Sequence, residues 1–425
     1  MTQSFTKLGI VSNVDVAYQD GPSLDAFSRL RVSNPSYVFD AQMTYTLCTL
    51  RYEQLTRQAN ATITYDATNR CALMTFAATP TGGVAYMQTF EYFPYQPGRS
   101  QLVLLTFNFI ETAANVLKFA GLCDGLNGIE LEQDGTTVQL KLYSQSSAGN
   151  QTVAQANWNL DKMDGTGESG IILDLTKIQI LVIDFQALYA GRIRIGFDIG
   201  GVIYYVHQFT CANLLAFPYA PTMNLPIRCG MTCTGTVSTT MRFVCSSVIS
   251  EGGQLTASGL ENTANSTAVI AGSPTATHAI SVRPKTTFGG FSGATATNRV
   301  GFYLDSVDGM VTSGTNALLW QLCVGQAFAA ATGPTWADVD ESHSAFQFGV
   351  GGVPTGPPTI VLQSGYIGSA GNNTRTAVSS PASVQRPVSL SASGTVRANG
   401  TLTLLVTGIG GTAPCLMTMN WKEIR

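Results

Sequence analysis

Histidine is the commonest general acid or base in enzymes, and this sequence contains only three of them. His207, His278 and His343 lie far apart along the chain and suggest neither a catalytic triad nor a metal cluster. The sequence also lacks a Walker A loop, a G-x-S-x-G nucleophile motif and an H-E-x-x-H zinc motif. A glycosidase would need two opposed carboxylates on a cleft, and no motif marks such a pair. We therefore predict a protein that is not an enzyme and binds no cofactor.

Three acidic residues, Asp161, Asp164 and Glu168, crowd the glycine-rich segment DKMDGTGE. Their carboxylate oxygens could bind Ca²⁺. Their spacing differs from that of an EF-hand loop, however, and Asp-Gly and Gly-x-Gly sequences commonly form turns. We favour turns and predict no metal site, with these three residues as the weaker alternative.

The nine cysteines are scattered and odd in number, which is not typical of a secreted disulfide framework. Cys229 and Cys233 would lie about 13 Å apart in an extended strand that advances ~3.3 Å per residue. A disulfide needs Cα atoms within ~7 Å of each other. We therefore predict buried free thiols.

Exposed aromatic side chains could bind a sugar, because they offer a large apolar surface with a defined geometry. In the C-terminal part of the chain the candidates are Trp320, Trp336 and Tyr366. They would form a site for a glycan if they lie exposed on a concave face or a loop.

Strands must position these side chains, and the clearest strands lie in GRIRIGFDIGGVIYYVHQF, residues 191–209. Apolar residues alternate with polar or small ones, which is the period of a strand with two different faces. Gly200-Gly201 can form a tight hairpin turn. A two-residue turn predicts that Ile199 pairs with Val202 and that Arg194 lies opposite His207.

A second hairpin is predicted at Asp134-Gly135, where Leu131 would face Val138. The apolar run from Ile178 to Leu188 is typical of a strand that is covered on both faces. Together these patterns predict an all-β protein with a jelly-roll-like β-sandwich.

The first 40 residues show little hydrophobic periodicity and are typical of an extended arm. Within this arm Phe27 and Leu30 alternate with Arg29 and Arg31. The segment is either a first strand with a polar face or an arm that docks on a neighbouring subunit through these four residues.

Charged residues make up only 12% of the 425 residues, against roughly 25% in an ordinary domain. So few surface charges favour a protein whose surface is largely covered by other subunits. The net charge of −3 argues against binding to nucleic acid, which needs clustered Lys and Arg. No apolar run approaches the ~20 residues of a membrane span.

Composition and turn signals divide the chain into four parts. We predict a docking arm at 1–40, a β-sandwich at 41–250, a linker or loop at 251–274 and a smaller β domain at 275–425. The linker is assigned because it consists almost entirely of small and polar residues.

Several motifs occur in a fixed order: DAFSRLRVSNPSYVFDAQ, WNLDKMDGTGESGIILDLTKIQILVIDF, the 191–209 hairpin, and ANLL followed by PTMNLPIR. In these motifs the chain resembles a family of tailed-bacteriophage virion structural proteins, which read DAFGRLRVS and WNxDxxDGTGxSG. The resemblance covers residues 15–250, with Ser28 in place of the family's glycine. It implies a component of the virus particle, assembled in the host cytoplasm, and leaves its place on the particle open.

The function expected from these patterns is that of a head decoration or capsid-associated protein that acts by packing. Its partners would be other virion proteins and further copies of itself, most plausibly in a homotrimer. The alternative is a tail or baseplate component that binds a host carbohydrate through the C-terminal domain. A tail-associated hydrolase is the third option.

Overall fold

The computed structural model describes residues 23–31, 35–186, 188–252, 259–289, 295–369, 376–379, 388–397 and 399–424. These residues form β-strands and two short 3₁₀ turns at Gln155–Asn157 and Ala330–Thr332, and they contain no α-helix. The described part of the chain therefore also contains no helix that could span a membrane. The predicted all-β class is confirmed.

The first half of the chain is a β-sandwich of two antiparallel sheets. Its strands are β1 Ser36–Gln42, β2 Tyr52–Arg57, β3 Ala61–Asp66, β4 Cys71–Thr79, β5 Val84–Thr89, β6 Ser100–Asn108, β7 Val116–Cys123, β8 Gly128–Asp134, β9 Thr137–Tyr143, β10 Gln151–Ala154, β11 Gln179–Phe185, β12 Ile193–Ile199, β13 Val202–Phe209, β14 Ile227–Cys233 and β15 Val237–Glu251. One sheet has the order β13-β12-β11-β6-β15-β4-β3, with β1 also paired to β15. The other has the order β10-β9-β8-β7-β14-β5-β2.

The core of this first sandwich lies between the two sheets. Alternate residues of facing strands fill it, such as Val103 and Leu105 on β6 and Leu140 and Leu142 on β9. Each of these side chains is fully buried, as the period of two requires when one face of a sheet packs inward. The result is the predicted jelly-roll-like sandwich.

The hairpin of β12 and β13 follows the predicted register only near its turn. Ile199 pairs with Val202 as predicted, but a β-bulge after Ile195 shifts the remainder by one residue. His207 therefore lies opposite Ile195, and the predicted pairing of Arg194 with His207 is wrong. A bulge places two residues of one strand against one of the other, and it cannot be located from alternation alone.

The hairpin of β8 and β9 is present, but its register also differs from the prediction. Gly135 and Thr136 form the turn, so Asp134 pairs with Thr137 and Leu131 pairs with Leu140. Gly135 takes a positive φ of 59°, which suits the first position of such a turn. The predicted pairing of Leu131 with Val138 is wrong by two residues.

The second half of the chain is a separate, smaller sandwich. Its strands are β16 Leu260–Asn265, β17 Val269–Ala271, β18 Thr277–Pro284, β19 Thr287–Gly289, β20 Thr295–Thr297, β21 Gly301–Val311, β22 Ala317–Val324, β23 Thr335–Asp338, β24 Phe346–Val350, β25 Ile360–Ile367, β26 Thr376–Ser379, β27 Leu402–Ile409 and β28 Ala413–Ile424. One sheet has the order β16-β28-β21-β26, with β17 also paired to β28. The other has the order β23-β24-β18-β27-β22-β25, and β19 pairs with β20 alone.

The predicted boundaries need correction at both ends of the first sandwich. Strand β1 begins at Ser36, inside the predicted arm, and pairs with β15. Within the predicted linker, β16 and β17 pair with β28 and belong to the second sandwich. Small polar residues favour a linker, but the main-chain hydrogen bonds of an edge strand do not depend on apolar side chains.

The two sandwiches contact each other through the segment after β5. The Arg299 guanidinium lies 4.2 Å from the ring centroid of Tyr92, and that of Arg397 lies over the ring of Phe90. The backbone N–H of Ala392 donates a 2.7 Å hydrogen bond to Glu53. Each sandwich thus has a hydrophobic core of its own, and cation–π pairs connect the two sandwiches.

Candidate functional site

Of the predicted arm at 1–40, residues 1–22 and 32–34 lie outside the described residues, and the described segment 23–31 lies against its own sandwich. The Arg31 guanidinium lies 2.6 Å from Asp184 and 2.8 Å from Glu251. Asp184 is fully buried and also accepts hydrogen bonds from Arg194 at 2.6 Å and Tyr205 at 2.8 Å. Residues 23–31 are therefore held by a buried charge network at the end of β11.

The other three predicted docking residues remain accessible. Phe27 is half-buried, Leu30 is 38% exposed, and Arg29 is exposed while it pairs with Asp25 at 2.7 Å. Ser28 has a positive φ of 60°, a conformation that glycine adopts without strain. This explains physically why a glycine would suit the position. Docking of this segment on a neighbour remains a prediction.

The acidic segment at Asp161 forms turns rather than a cation site. Both carboxylate oxygens of Asp161 accept backbone N–H groups, from Met163 at 2.8 Å and from Ser169 at 2.7 Å. Asp164 accepts bonds from Thr166 instead. No group of three or more acidic, His or Cys side chains that could hold a metal ion occurs among the described residues. The predicted turns are present, and the weaker alternative of a calcium site at Asp161, Asp164 and Glu168 gains no support from these contacts.

A serine–histidine pair occurs in the second sandwich, but its hydrogen bonds do not activate the serine. Ser281 Oγ lies 2.8 Å from His278 Nε2, and the N–H of Gly352 donates to Nδ1. Burial lowers the pKa of His278 to about 4, so the ring is neutral and its proton is on Nε2. Nε2 then donates to Ser281 and cannot accept its proton.

Two carboxylates lie side by side on the outer face of β8, where no motif had marked them. Glu130 and Glu132 are 2% and 1% exposed. Glu132 accepts hydrogen bonds from Gln139 at 2.6 Å and from Tyr143. Arg228, whose charge partly offsets that of Glu130, stacks 4.1 Å from the ring centroid of Tyr86. Because both carboxylates are covered, we assign no ligand to them.

The three candidate sugar-binding residues lie in very different surroundings. Trp320 is 1% exposed and packs in the core against Gly365, so its prediction as a glycan contact is wrong. Tyr366 is 69% exposed on edge strand β25. Trp336 is half-buried on β23, the opposite edge of the same sheet. Residue type made Trp320 a candidate, but only the packing of the sheets decides which aromatic residues are exposed.

Trp336 forms a stacked pair with Arg283. The guanidinium carbon lies 4.0 Å from the centroid of the indole ring. Gly349, which pairs with Trp336 across the sheet, makes room for the ring, since an added Cβ would lie about 3.0 Å from ring atom Cε3. The ring therefore lies against β24 and reaches towards β18.

A row of hydrogen bonds across three neighbouring strands also holds the Arg283 side chain in place. Arg283, Gln347 and Asp338 lie opposite one another on β18, β24 and β23. Arg283 Nε donates to Gln347 at 3.0 Å, and Gln347 Nε2 donates to Asp338 at 2.9 Å. Lys285 Nζ lies 3.2 Å from the other oxygen of Asp338. Burial acts to raise the pKa of Asp338, but the bonds from Gln347 and Lys285 outweigh it and lower that pKa.

This row lines an open, polar cavity of about 540 Å³. Its charged and amide side chains are those of Arg283, Lys285, Asp338, Glu341 and Gln347. Ligand sites combine a cavity with a few polar groups in fixed positions, and this cavity shares that feature, although its lining is more polar than usual. We refer to it as the Arg283–Trp336 site. Sequence analysis identified Trp336 but missed Arg283, which lies more than 50 positions earlier.

No protein-family model and no curated protein matches this chain. Among solved structures, it is similar to a β-glucanase of Bacillus licheniformis at 12% identity, covering 51% of this chain and 98% of that one, with a TM-score of 0.31. It is also similar to a glycosyl hydrolase family 16 protein of Mycobacterium smegmatis at 13% identity, covering 50% and 100%, with a TM-score of 0.33. A carbohydrate esterase of the Shiga toxin-encoding bacteriophage phi24B matches at 10% identity, covering 51% and 99%, with a TM-score of 0.30.

These matches correct one prediction. The absence of known motifs favours a protein that is not an enzyme, whereas the matched structures are those of glucanases, a glycosyl hydrolase and an esterase. The absence of a familiar motif was therefore not a sufficient reason to exclude enzymes. At such low identities and TM-scores, the likeness identifies no catalytic residue or substrate of this chain.

Proposed function

We propose that this chain is a carbohydrate-binding component of a bacteriophage virion, located at the tail or baseplate, and that it contacts host glycans through the Arg283–Trp336 site. The observation that carries this proposal is the Arg283 guanidinium, which the indole ring of Trp336 and the amide of Gln347 hold in place at an open polar cavity. Side chains with a fixed hydrogen-bonding geometry at a cavity are what recognition of a polar ligand requires.

The virion context of the proposal comes from the sequence motifs that resemble phage structural proteins. We further propose that Phe27, Arg29 and Leu30 contact other virion proteins or further copies of this chain. No feature of the described residues favours a head decoration role over the tail. Cryo-electron microscopy of the intact particle tests this part, since density spread over the head would contradict a tail location.

The binding proposal is tested with a glycan array probed with the labelled full-length chain, followed by titration calorimetry with the strongest glycan. Trp336→Ala is expected to weaken binding at least tenfold, because it removes the ring that holds the Arg283 guanidinium in its position at the cavity. Hot-spot aromatic residues commonly contribute ~2 kcal/mol or more.

Tyr366→Ala serves as the matched control. Tyr366 is an exposed aromatic residue on the opposite edge of the same six-stranded sheet, roughly 24 Å away at ~4.8 Å per strand. Its removal is expected to leave binding unchanged. If no glycan binds, or if both variants behave alike, the proposed site is wrong.

A further inference from the structure

We propose that the Arg283–Trp336 site selects acidic saccharides, those that carry a carboxylate, sulfate or phosphate group. This inference rests on the proposed function and adds the chemical class of the ligand. Its basis is the hydrogen bonding of Arg283, which differs from that of the other charged groups in the cavity.

The Arg283 side chain has hydrogen-bond donors available for a ligand. Its Nε is bonded to Gln347, whereas the terminal nitrogens Nη1 and Nη2 have no partner among the described residues. A guanidinium presents its N–H groups in a planar fork that matches the oxygens of a carboxylate or phosphate. Arg283 can therefore offer a bidentate contact without breaking a bond that it already makes.

The position of the fork is fixed before a ligand arrives. Stacking on Trp336 and the bond to Gln347 hold the guanidinium from two directions. A long, flexible side chain that is already ordered loses less conformational entropy on binding. Half-burial of Arg283 also reduces competition from water, and an arginine remains charged at neutral pH.

The other cation in the cavity, the Lys285 ammonium group, already has partners within the protein. Lys285 Nζ lies 3.2 Å from Asp338 and donates to the carbonyl oxygens of Asp340 at 2.9 Å and Glu341 at 3.2 Å. Lys285 thus compensates Asp338, and Arg283 is left to compensate an incoming anion. The exposed carboxylate of Glu341 lines the same cavity and opposes such a ligand. Its removal should therefore strengthen binding.

The test uses the full-length chain on an array that holds acidic glycans beside their neutral counterparts, including 3′-sialyllactose with lactose and oligogalacturonate with its methyl ester. Sulfated and phosphorylated glycans on the same array distinguish the possible anionic groups. We expect the bound glycans to be acidic, Arg283→Gln to reduce their binding at least tenfold, and Glu341→Gln to increase it about twofold or more. Arg283→Lys, which keeps the charge without the fork, should fall between the parent and Arg283→Gln. Thermal melting of each variant verifies that it is folded.

The outcomes separate the two claims. Preferential binding of neutral glycans, with Arg283→Gln unaffected, overturns the acidic preference and leaves the proposed function standing. Absence of binding to any glycan, or Trp336→Ala equal to the parent, overturns the proposed function itself. If Arg283→Gln is misfolded, the affinity of Glu341→Gln for acidic glycans tests the inference instead. An affinity equal to that of the parent contradicts it.

Discussion

Glu130 is a carboxylic acid buried on the outer face of β8, next to Glu132. Burial raises the pKa of Glu130 to about 7 from an ordinary 4.5, since Glu132 adds to the effect and Arg228 offsets only part of it. Between pH 4.5 and about 7, the Glu130 carboxyl group is therefore protonated in the folded state and ionised in the unfolded state. Stability contributed in this way is fully present below pH 4.5 and is lost as the pH rises to about 7.

Glu130→Gln should remove this pH dependence, because an amide of the same shape does not ionise. At pH 8 the variant is expected to be more stable than the parent by up to about 3 kcal/mol, while at pH 4.5 the two should be nearly equal. Urea unfolding of the first sandwich at both pH values measures the difference. Glu261→Gln, at a side chain that is 80% exposed, is the control and should show little change. Parallel stability curves for Glu130→Gln and the parent would contradict the assignment.

At the scale of elements, residues 23–31 are attached to the first sandwich through the network around Asp184. Arg192 and Arg194 add hydrogen bonds to backbone carbonyls of the same segment. Arg31 and Arg194 both lie 2.6 Å from one oxygen of the fully buried Asp184 carboxylate. Removing one partner of a buried charge network leaves the remaining charges uncompensated, which typically costs about 3–5 kcal/mol. Arg31 therefore contributes more to the attachment of this segment than an arginine in a solvent-exposed arm would.

Arg31→Met should release residues 23–31 and destabilise the first sandwich by a few kcal/mol. Limited proteolysis with chymotrypsin, followed by mass spectrometry, should detect faster cleavage after Phe27. Arg29→Met is the matched control, two positions away. Its loss is expected to cost only about 1 kcal/mol, because the buried carboxylate of Asp25 keeps the hydrogen bonds that it accepts from the backbone N–H groups of Phe27 and Arg29. Equal cleavage rates in the two variants would show that the network does not hold the segment.

At the scale of the whole molecule, the two sandwiches are coupled through the segment after β5. Arg397 stacks on Phe90, and burial lowers the pKa of Arg397 to about 10. Glu53, which accepts the N–H of Ala392, opposes that shift by its charge. Cation–π pairs that are shielded from water contribute about 2 kcal/mol. This contact therefore links the unfolding of one sandwich to that of the other.

Arg397→Ala should weaken this coupling by about 1–2 kcal/mol and separate the unfolding transitions of the two sandwiches in scanning calorimetry. Arg57→Ala is the control, since Arg57 bonds the carbonyl of Gly82 within the first sandwich only. Superimposable thermograms for Arg397→Ala and the parent would mean that the interface does not couple the domains. The predicted homotrimer is a separate question, which light scattering of the same samples addresses.

The class of the fold followed from local patterns alone. Alternation in residues 193–199, with the glycine turn behind it, was sufficient to predict an antiparallel hairpin, because side chains of a strand alternate whatever lies around it. The spacing of Cys229 and Cys233 likewise sufficed to predict free thiols, and both are free. The motifs at 161–168 correctly indicated turns, because Asp and Gly form them through short-range hydrogen bonds.

Tertiary structure decided everything that depends on which strands become neighbours. Trp320 and Trp336 both sit on strands of one sheet, yet one is core and the other lies beside a cavity, because only sheet packing defines the inner face. Arg283 meets Trp336 because β24 inserts between β18 and β23, an order that no local pattern specifies. The sequence pattern places Glu130 on the outer face of its strand, yet the folded protein buries it and brings the charge of Arg228 from β14 close enough to act on it. Long-range pairing of strands creates these environments, and the alternation of a single strand carries no information about its partners.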